Sequence, residues 1–274
     1  YARHHRGDHA PLAAVAPLLA ADLSIANLET PLVATLPQHS PVHSKYRFGA
    51  GKDAIRILKQ AGIGAVSLAN NHAADLREDG LRQTPHLLRE EGITPLGEAR
   101  VPAAGSPFVV HTVAVRGLRL GIVAATTQQN VPLAAKPTTP RLPVCDTALL
   151  PRHLAPPLRE ARADHDLLIV LLHWGTQFTE QPSPTQRRVA HALIEAGADL
   201  VIGHHPHVLQ GIERYRRGLI AYSLGNFLFP DALGAPRLTG VLRVDIRRKP
   251  LAIARATFLP AVARVYAGHA VAPQ

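Results

Sequence analysis

The chain has no methionine, one cysteine, one tryptophan and only 4% aromatic residues. A single thiol, Cys145, excludes an intramolecular disulfide framework, although it says little about compartment. Scarce aromatics remove the stacking platforms that single-stranded nucleic acids need. Long hydrophobic runs are missing too. None approaches the roughly 20 apolar residues that cross a bilayer, and the run Leu167–Leu172 is short and flanked by Asp164, Asp166 and His173. No secretory leader is recognisable. A chain that begins at Tyr1 without any methionine is expected to have its native start upstream. A leader or membrane anchor would lie there, so cell envelope and cytoplasm both stay open.

Acidic residues are also in short supply, 20 against 30 basic ones, for a formal charge of +10. Of the 30 basic residues 25 are arginine, scattered apart from short pairs such as Arg187-Arg188 and Arg247-Arg248. That is compositional bias, not a binding stripe. No nucleic-acid partner is expected, only mild steering of anionic ligands.

What is present can bury a full core: 274 residues, 46% hydrophobic, with no linker or compositional break. A single domain over 1–274 is expected. Apolar Ala54, Ile57, Leu58 and Ala61 at helical spacing predict a helix over Asp53–Ala61, capped by Asp53 and ended by Gly62. Ile63–Leu68 then reads as a strand. Ser183-Pro184 opens a second helix, Gly197 closes it, and Leu200–Ile202 is the strand that follows. These are two βαβ-like units facing one another across a site. Phe108–Val115 and Arg119–Ala125 read as strands paired through Arg116-Gly117. Thr126–Pro157 reads as a long surface loop with a helix over Pro156–Ala163 beyond it. Gly240–Ile246 and Ala252–Phe258 read as half-buried antiparallel strands.

Five apolar runs end in side chains able to bind metal: Leu23-Ser-Ile-Ala-Asn-Leu-Glu29, Ala65-Val-Ser-Leu-Ala-Asn-Asn-His72, Leu167-Leu-Ile-Val-Leu-Leu-His-Trp174, Leu200-Val-Ile-Gly-His-His-Pro-His207 and Ile220-Ala-Tyr-Ser-Leu-Gly-Asn226. Open α/β sheets place ligands where strands stop. Imidazoles, an amide oxygen and a carboxylate suit Mn²⁺, Fe²⁺ or Zn²⁺. Taken singly, His173 is as well read as a core histidine, Asn71 as a turn residue and Glu29 as solvated. Their coincidence at strand ends points to one composite site. His204 is left out, because one of two adjacent histidines must point away. The other histidines have no such context and read as surface.

At these residues the chain resembles the capsule-synthesis CapA family of poly-γ-glutamate capsule formation, itself similar in fold to calcineurin-like metallophosphoesterases. The matching text is Ala26-Asn-Leu-Glu-Thr30, Lys45-Tyr-Arg-Phe48, Ser67-Leu-Ala-Asn-Asn-His72, His173-Trp-Gly175, Gly197-Ala-Asp-Leu-Val-Ile-Gly-His-His-Pro-His207 and Tyr222-Ser-Leu-Gly-Asn-Phe227. The resemblance implies a four-layer α/β/β/α sandwich. It implies that Asn71 is a metal ligand, that His173 and His205 bind one divalent ion, and that His207 binds the other. Glu29 stands where the bridging carboxylate of phosphoesterases sits, His72 meets the leaving group or a transition-state oxygen, and Asn226 contacts substrate or supports the ligands. The family's opening strand, whose aspartate serves the first metal, is expected upstream of Tyr1, so one ion could be lost without it. Two functions follow. One is a dinuclear hydrolase of phosphoesterase type acting on a phosphoester or an anionic, γ-glutamyl polymer. The other is a non-catalytic accessory subunit that holds polymer or other capsule synthesis proteins.

Overall fold

The computed structural model describes residues 11–38, 47–134, 136–229, 238–264 and 269–271. Lys45 and Tyr46 of the matching text, and the surface assignments of His4, His5, His9, His39 and His43, lie outside them. The first half carries α1 (Ala16–Leu19), β1 (Ser24–Asn27), β2 (Leu32–Val33), β3 (Ala50–Gly51), α2 (Ala54–Gln60), β4 (Ile63–Ser67), α3 (Arg77–Glu90) and β5 (Thr94–Leu96). There follow β6 (His111–Val115), β7 (Leu118–Thr126), α4 (Leu150–Ala161), β8 (Leu167–His173), α5 (Pro184–Glu195) and β9 (Leu200–His204). The last strands are β10 (Ile212–Tyr215), β11 (Gly218–Ala221), β12 (Leu238–Arg248), β13 (Leu251–Arg264) and β14 (His269–Val271).

Two sheets carry the site. A small one runs β1-β4-β5, all parallel, and a large one runs β10-β11-β9-β8-β7-β6. In the large sheet β7, β8, β9 and β11 are parallel, and each edge is closed by an antiparallel hairpin. Side chains of β8 alternate between two cores, as period-two geometry requires. Leu167, Ile169 and Leu171 pack toward the small sheet, with Ile122 and Ala124 of β7 and Ala65 and Leu96 opposite. Leu168, Val170 and Leu172 pack instead with Leu154 and Leu158 of α4 and Val189 and Leu193 of α5. Val66 of the small sheet meets Ile55 of α2, Leu88 of α3 and Val15 on its outer face. The order is therefore helices, small sheet, large sheet, helices: the four-layer sandwich. The β12–β13 hairpin adds Leu242, Val244 and Ile253 to the margin of the inter-sheet core.

Both βαβ-like units fall on opposite sheets, with β4 in the small one and β9 in the large one. Ser183 caps α5 reciprocally: its side chain accepts from the Gln186 backbone N–H, and the Gln186 side chain accepts from the Ser183 backbone N–H. Asp53 does not cap α2. Its backbone is already helical, with φ −60° and ψ −23°, and its side chain makes no cap hydrogen bond. The loop expected over Thr126–Pro157 is shorter, because α4 starts at Leu150 and runs through Pro156 and Pro157. Leu150, Leu154 and Leu158 share one buried face, and that burial outweighs two missing N–H donors. Not every remaining histidine is a bare surface group. His191 Nε2 lies 2.7 Å from Glu213 Oε1 with its ring stacked on Tyr215, and His165 Nδ1 donates to Ala161 O at 2.7 Å.

Candidate metal centre

The β8 alternation decides where His173 points. It continues the series Leu167, Ile169, Leu171, so its imidazole enters the space between the sheets and is 1% exposed. β9 brings the second donor by a close approach. A Cβ on Gly203 would lie 2.0 Å from Tyr222 O and 2.4 Å from Trp174 Nε1, so only glycine fits there. Beyond it the chain turns through left-handed conformations at His205 (φ 99°) and His207 (φ 60°), which histidine seldom adopts. The turn swings His205 Nδ1 to 3.0 Å from His173 Nε2. From the opposite sheet, Asn71 Oδ1 reaches the same His173 Nε2 at 2.7 Å. Asn71 Nδ2 donates to Asn130 Oδ1 at 3.2 Å, which fixes the amide with its oxygen toward His173.

Asn71, His173 and His205 are therefore brought together. Glu29 lies beside them, its Oε1 3.8 Å from His173 Nδ1, the nitrogen on the far side of the ring, and 2.9 Å from the amide of Asn27. His207 and Asn226 form a neighbouring pair, Nδ1 to Oδ1 at 2.7 Å, with the His207 ring 5.8 Å from that of His205. His72 is buried on the third side. Its Nδ1 donates to Asp75 Oδ2 at 2.8 Å, and the same oxygen accepts from the Phe48 backbone N–H at 2.8 Å. Asn70 braces the loop, donating to Leu28 O at 2.8 Å and accepting from the His72 N–H at 3.1 Å. His204 stays out of this set.

Sequence reasoning does not single out Asp75, Asn27, Asn70 or Asn130. The spacing His72-x-x-Asp75 is a signal for the first, because three residues span one helical turn. Asn27 ends β1 two residues before Glu29, and that spacing is readable too. Asn130 lies in a stretch without period and leaves no signal.

Burial governs the charges. It drives His173 well below the ordinary imidazole range, and the neighbouring His205, His204, His207 and His72 push the same way. His205 falls to about 4, through burial and then through His207 and His72, and His204 falls to about 4 through burial. Burial raises the Glu29 carboxyl, while His207, His72 and the Asn27 hydrogen bond partly offset it. At neutral pH His173, His204 and His205 are uncharged, the form in which imidazole ligates metal.

The donor chemistry fits a divalent cation. His173 Nε2, His205 Nδ1 and Asn71 Oδ1 converge within hydrogen-bond distance, and no tautomer of the two neutral imidazoles gives each contact a proton of its own. Glu29 Oε2 is buried with no hydrogen-bond partner. Donors at about 2.1 Å from one ion stand roughly 3.0–3.4 Å apart, close to the spacing seen. Among the described residues no three His, Cys, Asp or Glu side chains stand ready to hold an ion. The third donor beside the two imidazoles is an amide oxygen, and Glu29 faces the remote nitrogen. A polar recess of about 280 Å³, lined by Thr127, Gln128, Asp146, Gly175 and Gln186 among others, includes none of these donors in its lining.

The family described as "Bacterial capsule synthesis protein PGA_cap" matches residues 1–231. The chain belongs to that family. It is 28% identical over 229 residues to the "PGA biosynthesis protein CapA" of Bacillus subtilis (strain 168), covering 84% of this chain and 59% of that one. To a "Probable polyglutamine synthesis accessory protein" of Mycobacterium tuberculosis it is 32% identical over 215 residues, 76% of this chain and 55% of the other. This PGA_cap chain thus spans between about half and three-fifths of the length of these curated relatives. Its fold resembles a 5'-nucleotidase precursor from Thermus thermophilus, with TM-score 0.51 and 17% identity over 80% of this chain and 42% of the other. This PGA_cap chain therefore shares the fold of that nucleotidase precursor. Likeness at this identity speaks for the fold alone.

Proposed function

We propose that this PGA_cap chain is a metal-dependent hydrolase of the phosphoesterase type, serving capsule poly-γ-glutamate synthesis. The observation that carries the reading is the convergence of His173 Nε2, His205 Nδ1 and Asn71 Oδ1 from three strand ends, at 3.0 and 2.7 Å. These three would hold one divalent ion and His207 would serve the other, with Glu29 joining them only by turning away from His173 Nδ1. Such a pair, as Mn, Fe or Zn, supplies charge neutralisation at a tetrahedral centre and lowers the pKa of water.

The remaining work falls to the chain. His72 Nδ1 keeps its proton on Asp75, so Nε2 is the atom that moves a proton to or from the leaving group. Asp75 is held by the Phe48 N–H and so fixes that tautomer. Asn226 supports His207 and presents a buried Nδ2 without a partner, a donor suited to an anionic substrate oxygen. The substrate would be a phosphoester or an anionic, γ-glutamyl polymer, and other capsule synthesis proteins would be the natural partners.

Purified protein should carry near-stoichiometric Mn, Fe or Zn by elemental analysis. His205→Ala should lose that metal together with hydrolysis of a generic phosphoester. Metal-free protein hydrolysing at an unchanged rate would overturn the reading.

An accessory role is the second reading. It is favoured by Glu29 turning toward His173 Nδ1, away from the converging donors, at 3.8 Å. The mycobacterial relative, named as an accessory protein, points the same way. It predicts little tightly held metal and no turnover.

A further inference from the structure

Phe178 bears two costs that its own packing does not explain. It is a bulky residue in the left-handed region, φ 61°, where glycine or asparagine is favoured. Its side chain is also 54% exposed, so the ring gains little from the core. The loop that carries it is nevertheless firmly held. Phe178 N–H donates to Pro206 O at 2.8 Å, and Gln210 Nε2 donates to Thr179 O at 2.6 Å. A fixed backbone presenting an exposed ring is a contact surface, and here the surface adjoins the candidate centre.

Its surroundings agree. The Phe178 ring lies 6.0 Å from His207, and Phe229 lies 4.8 Å from the same imidazole. Phe229 meets Phe48 edge-on at 5.7 Å, and Phe48 packs on His72 at 4.2 Å. Three of the six phenylalanines in the chain therefore form an arc from His72 to His207. Phe48 and Phe229 are half-buried and support the imidazoles, whereas Phe178 alone of the three offers most of its face.

We propose that Phe178 forms, beside His207, a subsite for the organic part of the substrate, and that this part carries a flat ring. An aromatic face in water gains most from a stacked or edge-on ring, and little from a small polar alcohol. The inference rests on the hydrolase reading, because it places the ring next to a centre that holds the tetrahedral group. It adds what that reading lacks, a preference among esters.

The test compares phenylphosphonate with methylphosphonate, two unreactive probes, by calorimetric titration into the metal-loaded full chain. Wild type should bind phenylphosphonate about three- to tenfold more tightly. Phe178→Gly should erase the difference without lowering Tm, because it removes both the ring and the strain. Phe178→Tyr should keep the preference. Equal binding of both probes by wild type overturns the subsite while leaving the centre intact. So does a Tm drop in Phe178→Gly of the size a lost core ring causes. If neither probe binds and no phosphoester is hydrolysed, the hydrolase reading fails and takes the subsite with it.

Discussion

The loops after β4 and β9 deliver histidines to the same place by opposite means. Asn70-Asn71-His72 is tied down by its own side chains. Asn70 bridges Leu28 O and the His72 N–H, Asn71 spans Asn130 and His173, and Asp75 joins His72 to the Phe48 backbone. His205-Pro206-His207 relies less on such ties. Steric necessity shapes it instead: the contact at Gly203, two left-handed histidines, and Pro206 O accepting from Phe178. One loop is held by hydrogen bonds that satisfy buried groups. The other is held against conformational cost, which the surrounding structure must outweigh. Strain of this kind gathers at sites where function requires it.

Substitutions can break that contrast. The largest effect is expected for Gly203→Ala. A methyl 2.0 Å from Tyr222 O must push β9 from β11, at about 3 kcal/mol or more, seen as a large Tm loss. Asn70→Ala should come next, at roughly 2 kcal/mol, because Leu28 O and the His72 N–H lose buried partners. Chemical denaturation would measure it. His205→Gly should behave oppositely, raising the stability of metal-free protein by about 1 kcal/mol through relief of φ 99° while abolishing metal binding. A fall in stability would show that His205 is held by packing and not against strain.

Acid should sharpen the comparison further. The folded-state value of His205 is depressed to about 4 from the ordinary 6.5, and that of His204 likewise. Such a group contributes stability that is full above its unfolded pKa and is lost as pH falls toward the folded one. Metal-free protein should therefore lose Tm between about pH 6.5 and 4, and His204→Gln should flatten part of that slope. A flat Tm over that window would contradict the burial assigned to these imidazoles.

Much of this is legible in the sequence, for identifiable reasons. Strands β4, β8 and β9 announce themselves because buried parallel strands must be apolar on both faces, and each ends in its polar tip. Helix α3 escapes a pattern reading, since Gly80 and Pro85 interrupt its period while Leu81, Leu87 and Leu88 are buried. The start of α4 is misleading because two prolines look like a beginning when they lie mid-helix. At the site, the letters identify Glu29 as a strand-end carboxylate. They do not fix which nitrogen of His173 it faces, because that depends on strand register and on the Asn27 amide that holds it. Asp75 leaves only the three-residue spacing from His72 as a signal, and the loop that folds back completes their contact.

Anomalous diffraction from manganese-soaked crystals would examine the claimed convergence most directly. The account predicts a peak about 2.1 Å from each of His173 Nε2, His205 Nδ1 and Asn71 Oδ1. An empty position there, with His173 and His205 still 3.0 Å apart and hydrogen-bonded, would contradict it.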